Sequence, residues 1–139
     1  MNLDFIEKAG DIVSEPNVEC VLALIDLQGY PTASAMTISK NDGIKWLTFC
    51  TNAIGNKIQR IAKCNKASVC LYSVYPLVNI TLVGTIEIIN DPDAKQEMWY
   101  DLCKYYWSGP RSEHFVVLKF TTERYNIMFD DENHEGSIV

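Results

Sequence analysis

The sequence predicts a mainly β domain: an antiparallel barrel of about six strands, with helices at its margins. Two observations predict it. Short runs rich in Val, Ile, Leu, Thr and Phe recur along the chain, separated by turn-forming residues. Three further stretches carry apolar residues at helical spacing and sit at the margins of those runs. The joins are mostly hairpins, which argues for antiparallel pairing; strand periodicity alone leaves an α+β sandwich open. A length of 139 residues suits one domain over 1–139, and a hydrophobic share of 47% is enough for one core.

The elements follow in order. Residues 2–14 read as a helix, with Leu3, Ile6, Ala9 and Val13 on one face and Pro16-Asn17 as the stop. Residues 18–27 form a buried strand, Gln28-Gly29-Tyr30-Pro31 a turn, and residues 32–39 a second strand with small side chains. Asp42-Gly43 marks a tight turn into a third strand, 44–51, expected to run antiparallel to the second. A helix at 55–64 places Ile58, Ile61 and Ala62 on one face; a fourth strand follows at 66–74. The fifth strand, 78–90, is interrupted by Gly84, a bulge or a barrel corner. Asp91-Pro92 caps a third helix carrying Met98, Trp99, Leu102 and Cys103 on one stripe. Residues 115–129 form the last strand, and 130–139 read as a frayed acidic tail.

A net charge of -6 argues against non-specific nucleic-acid binding, which needs clustered Lys and Arg. One local basic pocket for a phosphate remains compatible with it. No apolar run reaches the length of a membrane span, and the N-terminus lacks the charged and apolar regions of a signal peptide. Five cysteines without a C-x-x-C pair signal neither a zinc site nor a thioredoxin-type site. They point to a reducing, cytoplasmic setting.

Catalytic side chains are sparse. There are two histidines, His114 and His134, no legible Ser/His/Asp arrangement, and no metal-ligand spacing. No catalytic residue is assigned. Such a protein still performs redox chemistry when a bound cofactor carries the reactivity. The most informative stretch runs from Phe49-Cys50-Thr51 through Asn52-Ala53-Ile54-Gly55 to Asn56-Lys57. A strand ends at a Thr, a short polar loop follows, and a helix opens with a Lys in its first turn. Free N–H groups, the helix dipole and the Lys together suit an anion. The same pattern also describes an ordinary loop with a solvated Lys.

The order of these segments resembles the pyridoxamine 5′-phosphate oxidase-like family of FMN-binding split barrels, in its general-stress-protein branch. Gly29-Tyr30-Pro31-Thr32-Ala33-Ser34-Ala35-Met36 resembles that family's strand ending in Arg-Pro-Met. Phe49-Cys50-Thr51 with Lys57 resembles its phosphate grip, and the long strand with Gly84 resembles its Gly-bearing strand. Tyr106-Trp107 and Gly109-Pro110 resemble the loop before its last strand. There are departures. Ser34-Ala35 replaces Arg-Pro, Gly55 stands at the hydroxyl position, and Arg111-Ser112-Glu113 replaces an Asp-Pro loop. Ile127 and Phe129 lie where the family carries a Trp.

The resemblance implies a six-stranded antiparallel split β-barrel and a homodimer with FMN at its interface. The flavin ring would lie along Ser34, Ala35 and Met36, its edge near Phe49, Cys50 and Thr51. The phosphate would sit with Thr51, Asn52, Asn56 and Lys57. Asn79, Tyr106 and Trp107 would close the pocket, some of them from the partner chain. The implied activity is that of a flavin-dependent oxidoreductase of unknown substrate. Oxidation of pyridoxamine 5′-phosphate itself is not expected, because a second phosphate pocket with its own basic residues is not visible. The alternatives are a flavin-binding, stress-related protein without turnover, and a cofactor-free interaction module.

Overall fold

The computed structural model describes residues 3–138. Helix α1 (Leu3–Val13) is followed by strands β1 (Glu19–Ile25), β2 (Pro31–Thr37) and β3 (Trp46–Asn52). Helix α2 (Asn56–Lys63) leads to β4 (Lys66–Ser73) and β5 (Val78–Ile89). Helix α3 (Pro92–Met98) and a 3-10 helix (Asp101–Tyr105) precede β6 (Phe115–Phe129) and β7 (Glu132–Ser137). All strand pairs are antiparallel, in the order β2-β1-β4-β5-β6-β3, and β7 adds to β6. The sheet curls into a split barrel that does not close: β2 and β3 end its strand path, and β7 is a further short edge on β6.

Alternation explains the core. In β5, Val78, Ile80, Leu82 and Ile86 point inward and are buried, while Asn79 and Glu87 face out. Leu47 and Phe49 of β3 and Leu22 and Leu24 of β1 meet them. Helix α1 covers one side with Ala9 and Val13, as its apolar stripe predicts. Gly84 behaves as its position suggests. The β5–β6 register shifts at Val83/Gly84, and a Cβ on Gly84 would collide with the Thr121 carbonyl oxygen.

Three expectations change. The third strand does not pair with the second. Instead β3 lies along β6, Trp46 opposite Thr121 and Asn52 opposite Phe115. The loop after β2 supplies the backbone hydrogen bonds to β3: Ser39 N–H donates to the Thr48 carbonyl at 2.8 Å and Thr48 N–H to the Lys40 carbonyl at 2.9 Å. The tail read as frayed contains β7. Asp130 and Asp131, both at positive φ, make a two-residue hairpin turn, and Glu132 through Ser137 then pair with β6. The turn chemistry is tolerable for Asp, and the polar strand that follows suits an exposed edge. The third helix is also shorter. The Asp91 carboxylate caps it by accepting from Ala94 N–H, but Trp99 and Tyr100 are extended and a separate 3-10 turn follows. The expected stripe therefore breaks, yet Met98, Trp99 and Cys103 still pack with Phe115 and Val117 in a second, smaller core.

Candidate functional site

Where the loop bonds of Ser39 and Lys40 end, β2 and β3 diverge, and a cleft of about 430 Å³ opens between them. Ala35, Met36 and Thr37 of β2 form one wall; Cys50, Thr51 and Asn52 of β3 form another. The segment after α3 supplies the third, with Tyr100, Leu102, Cys103, Tyr106 and Trp107. A volume of this size falls in the range of small-molecule sites.

Each wall has a local cause. The small residues of β2 are largely exposed because the strand's outer edge has no neighbour. The aromatic wall is fixed from beneath. Trp107 packs on the buried Phe115 with ring centroids 5.1 Å apart and on Tyr106 at 5.6 Å. Its indole N–H donates to Asn52 Oδ1 at 3.0 Å, linking that wall to the end of β3. This orients the Asn52 amide so that its two N–H groups remain as donors. Lys95 supports the same wall. Its buried ammonium donates to the Ser112 carbonyl at 2.9 Å and to Asn90 Oδ1 at 3.3 Å, and sits 5.6 Å from the Phe115 ring centroid.

The cleft's electrostatics are distinct from the rest of an acidic chain. None of its lining residues is Asp, Glu or His. Burial pushes the Tyr100 hydroxyl up to about 12, with smaller contributions from Cys50, Cys103 and Tyr106. Burial, and then the neighbouring Cys103, also hold the Cys50 thiol well above the usual thiol range. Both groups therefore keep their protons at neutral pH, so neither serves as a general base.

Seven of the twelve sequence-derived site residues meet here: Ala35, Met36, Cys50, Thr51, Asn52, Tyr106 and Trp107. Five lie elsewhere. Ser34 is exposed on β2 and does not line the cleft. Phe49 is fully buried in the barrel core. Asn56 and Lys57 begin α2, beyond the loop that leaves Asn52; Asn56 lines a separate shallow hollow with Asp26 and Gln59. Asn79 is exposed on β5, 3.5 Å from the Cys70 sulfur. Thr37, Tyr100, Leu102 and Cys103 line the cleft without having been singled out for it. Asp101, the acidic residue of a new first turn, was the available signal that the chain restarts after Tyr100.

Helix α2 opens with Gly55 as N-cap and no side-chain capping bond, and its first turn holds no acidic residue. Its leading N–H groups thus lack a side-chain acceptor, with Lys57 beside them. Among the described residues, no group of three or more His, Cys, Asp or Glu could hold a metal ion. No helix among them is long and apolar enough to cross a membrane.

A half-open barrel with a ligand-sized cleft at its seam defines the class as a split-barrel protein. The family model described as pyridoxamine 5′-phosphate oxidase matches residues 5–129, and the chain belongs to that family. A protein from Clostridium acetobutylicum related to general stress protein 26 of B. subtilis is similar at 27% identity. Its TM-score is 0.89, over 99% of this chain and 97% of that one. A heme binding protein from Mycobacterium smegmatis shares the fold at 19% identity and TM-score 0.78, over 96% of this chain and 57% of that one. A pyridoxamine 5′-phosphate oxidase-related, FMN binding protein from Nostoc punctiforme shares it at 14% identity and TM-score 0.70, over 99% and 94%. No curated protein matches.

Proposed function

We propose that this chain binds FMN at the seam cleft and acts as a flavin-dependent oxidoreductase of the cytoplasm. The observation that carries the reading is the path of the chain, which leaves the cleft wall at Asn52 and runs through a short loop into α2. A slot with polar and aromatic lining between β2 and the Tyr106-Trp107 wall includes Thr51 and Asn52, and the chain then enters an uncapped helix start bearing Lys57. The residues present fit the cofactor's two halves. Ala35 and Thr37 leave room for a flat ring, and Met36 offers a polarizable contact. Tyr106 and Trp107 offer aromatic faces. Thr51, Asn52 and Lys57 with the α2 N–H groups suit a phosphate.

When bound, FMN supplies the two-electron redox chemistry. The chain positions it and keeps carboxylates away from the ring. It holds protons on Tyr100 and Cys50 at neutral pH. Tyr106, at 76% exposure, would be covered if a second copy closed the slot. A homodimer is part of this reading, and Asn79 would act in it from the partner.

Absorption and fluorescence titration of the purified protein with FMN tests the proposal. Saturation near one FMN per chain supports it; no binding at high micromolar FMN sinks it. Lys57→Ala is expected to weaken binding roughly tenfold, about 1.4 kcal/mol. Unchanged affinity in that variant would remove α2 from the phosphate site. Reduction of the bound flavin by NADH or NADPH, with turnover on an added acceptor, separates an oxidoreductase from a flavin carrier.

A further inference from the structure

Two cysteines from distant parts of the chain meet in the wall of the cleft. Cys50 comes from β3 and Cys103 from the 3-10 helix, and the Cys103 thiol donates to the Cys50 sulfur across 3.3 Å. Both line the cleft, but unequally: Cys50 is half-buried, whereas Cys103 is 1% exposed and sits in the smaller core. Cys20, Cys64 and Cys70 do not line it.

The spacing is close to bonding range. A disulfide holds its sulfurs about 2 Å apart, so the two must approach by only a little over about 1 Å. Cys103 lies on a five-residue 3-10 turn rather than in the sheet. Of the two, it is the one free of a strand ladder.

We propose that Cys50 and Cys103 form a dithiol oxidised by hydroperoxides, in which Cys50 meets the oxidant from the cleft and Cys103 resolves it. In the first step the Cys50 sulfur attacks the O–O bond. An S–O bond forms, the O–O bond breaks, and the Cys50 proton passes to the departing oxygen, which leaves as water or an alcohol. Cys50 becomes a sulfenic acid. In the second step the Cys103 sulfur attacks the Cys50 sulfur. The S–S bond forms, the S–O bond breaks, and the hydroxide leaves with the Cys103 proton as water. Two thiols lose two electrons and two protons, and the hydroperoxide takes up both.

Proximity favours the second step, because a sulfur already in contact needs no encounter. It diverts Cys50 into a reversible disulfide before further oxidation to sulfinic acid. The first step is slow at neutral pH, since burial keeps the Cys50 thiol protonated. The pair is thus a slow, reversible trap rather than a fast peroxidase. It does not depend on flavin binding.

The test treats the reduced, full-length protein, without added flavin, with hydrogen peroxide. Remaining thiols are alkylated, and intact mass and peptide maps are read. A loss of about 2 Da is expected, with a linked peptide pair containing Cys50 and Cys103, formed faster as pH rises from about 7 to 9. In Cys103→Ser this loss disappears and Cys50 gains about 16 or 32 Da instead. The idea is overturned if Cys50 and Cys103 both stay alkylatable while other cysteines oxidise. It is equally overturned if the linked peptides join another pair. Should the variant fail to fold, the wild-type peptide map decides by itself.

Discussion

β2 and β3 are the two ends of one sheet's strand path, and they are built in opposite ways. β2 carries Ala33, Ser34 and Ala35, all exposed, and no residue of the strand is fully buried. β3 carries Leu47, Thr48 and Phe49, each at 0% exposure, and a seven-residue ladder to β6. β2 has an equally long ladder to β1, so the difference is burial: one edge is anchored by fully buried side chains in the core and the other has none. The difference teaches where a ligand site comes from in an incomplete barrel. The anchored edge gives fixed positions to Thr51 and Asn52, and the bare edge leaves the volume.

The largest effect should come from breaking the anchored edge. Phe49→Ala removes a fully buried ring and is expected to cost about 3–5 kcal/mol in urea unfolding. A loss below about 1 kcal/mol would mean that β3 is not the anchor. On the opposite strand the outcome should reverse. Ala35→Phe fills the cleft from an exposed position, so stability should move by no more than about 0.5 kcal/mol. FMN affinity should nevertheless fall at least about 100-fold, near 2.7 kcal/mol. Equal FMN affinity in that variant would place the ligand elsewhere.

The seam between the two edges gives a smaller effect. Thr48 Oγ1 lies 2.7 Å from Ser39 Oγ and accepts from Lys40 N–H at 3.0 Å. Thr48→Val leaves these groups without that partner and should cost about 1–2 kcal/mol. The smallest effect is alkaline. Tyr100 ionises near 10 when unfolded and is raised to about 12 by burial beside the cleft. Its contribution is intact below pH about 10 and is lost as pH rises toward about 12, because only the unfolded chain has then released the proton. Tyr100→Phe should flatten that part of the melting-temperature profile.

The contrast also explains what the sequence could convey. Strands β1, β4, β5 and β6 are apolar runs whose alternation fixes them, and Asp91-Pro92 and Gly84 announce a cap and a bulge through local chemistry. Pairing is not local. Nothing in residues 44–51 says that their ladder partner is β6 rather than the adjacent strand. β7 is not legible in the sequence because Glu132, Asn133, His134 and Glu135 have no apolar face; its ladder, the His134 ring against Phe5, the Asn126–Glu135 hydrogen bond and the contact of Ile138 with the core hold it. In the cleft, Met36, Thr51 and Trp107 stand out by type, and the family resemblance groups them. Leu102 and Cys103 join only because the helix stops at Met98, and that break follows from packing on Phe115 and Val117.

β6 serves three neighbours: β5 along nearly its full length, β3 up to Thr121, and β7 from Arg124 onward. The handover from β3 to β7 falls at Thr122 and Glu123, where Gly84 lets the backbones meet. In the order of synthesis this has a consequence. β1, β2, β4 and β5 can pair with one another as they emerge, but the ladder of β3 waits until residues 115–121 arrive. Such long-range closure is slow. The seam therefore waits for β6, and a nascent chain halted before Phe115 would carry most of a sheet and no pocket.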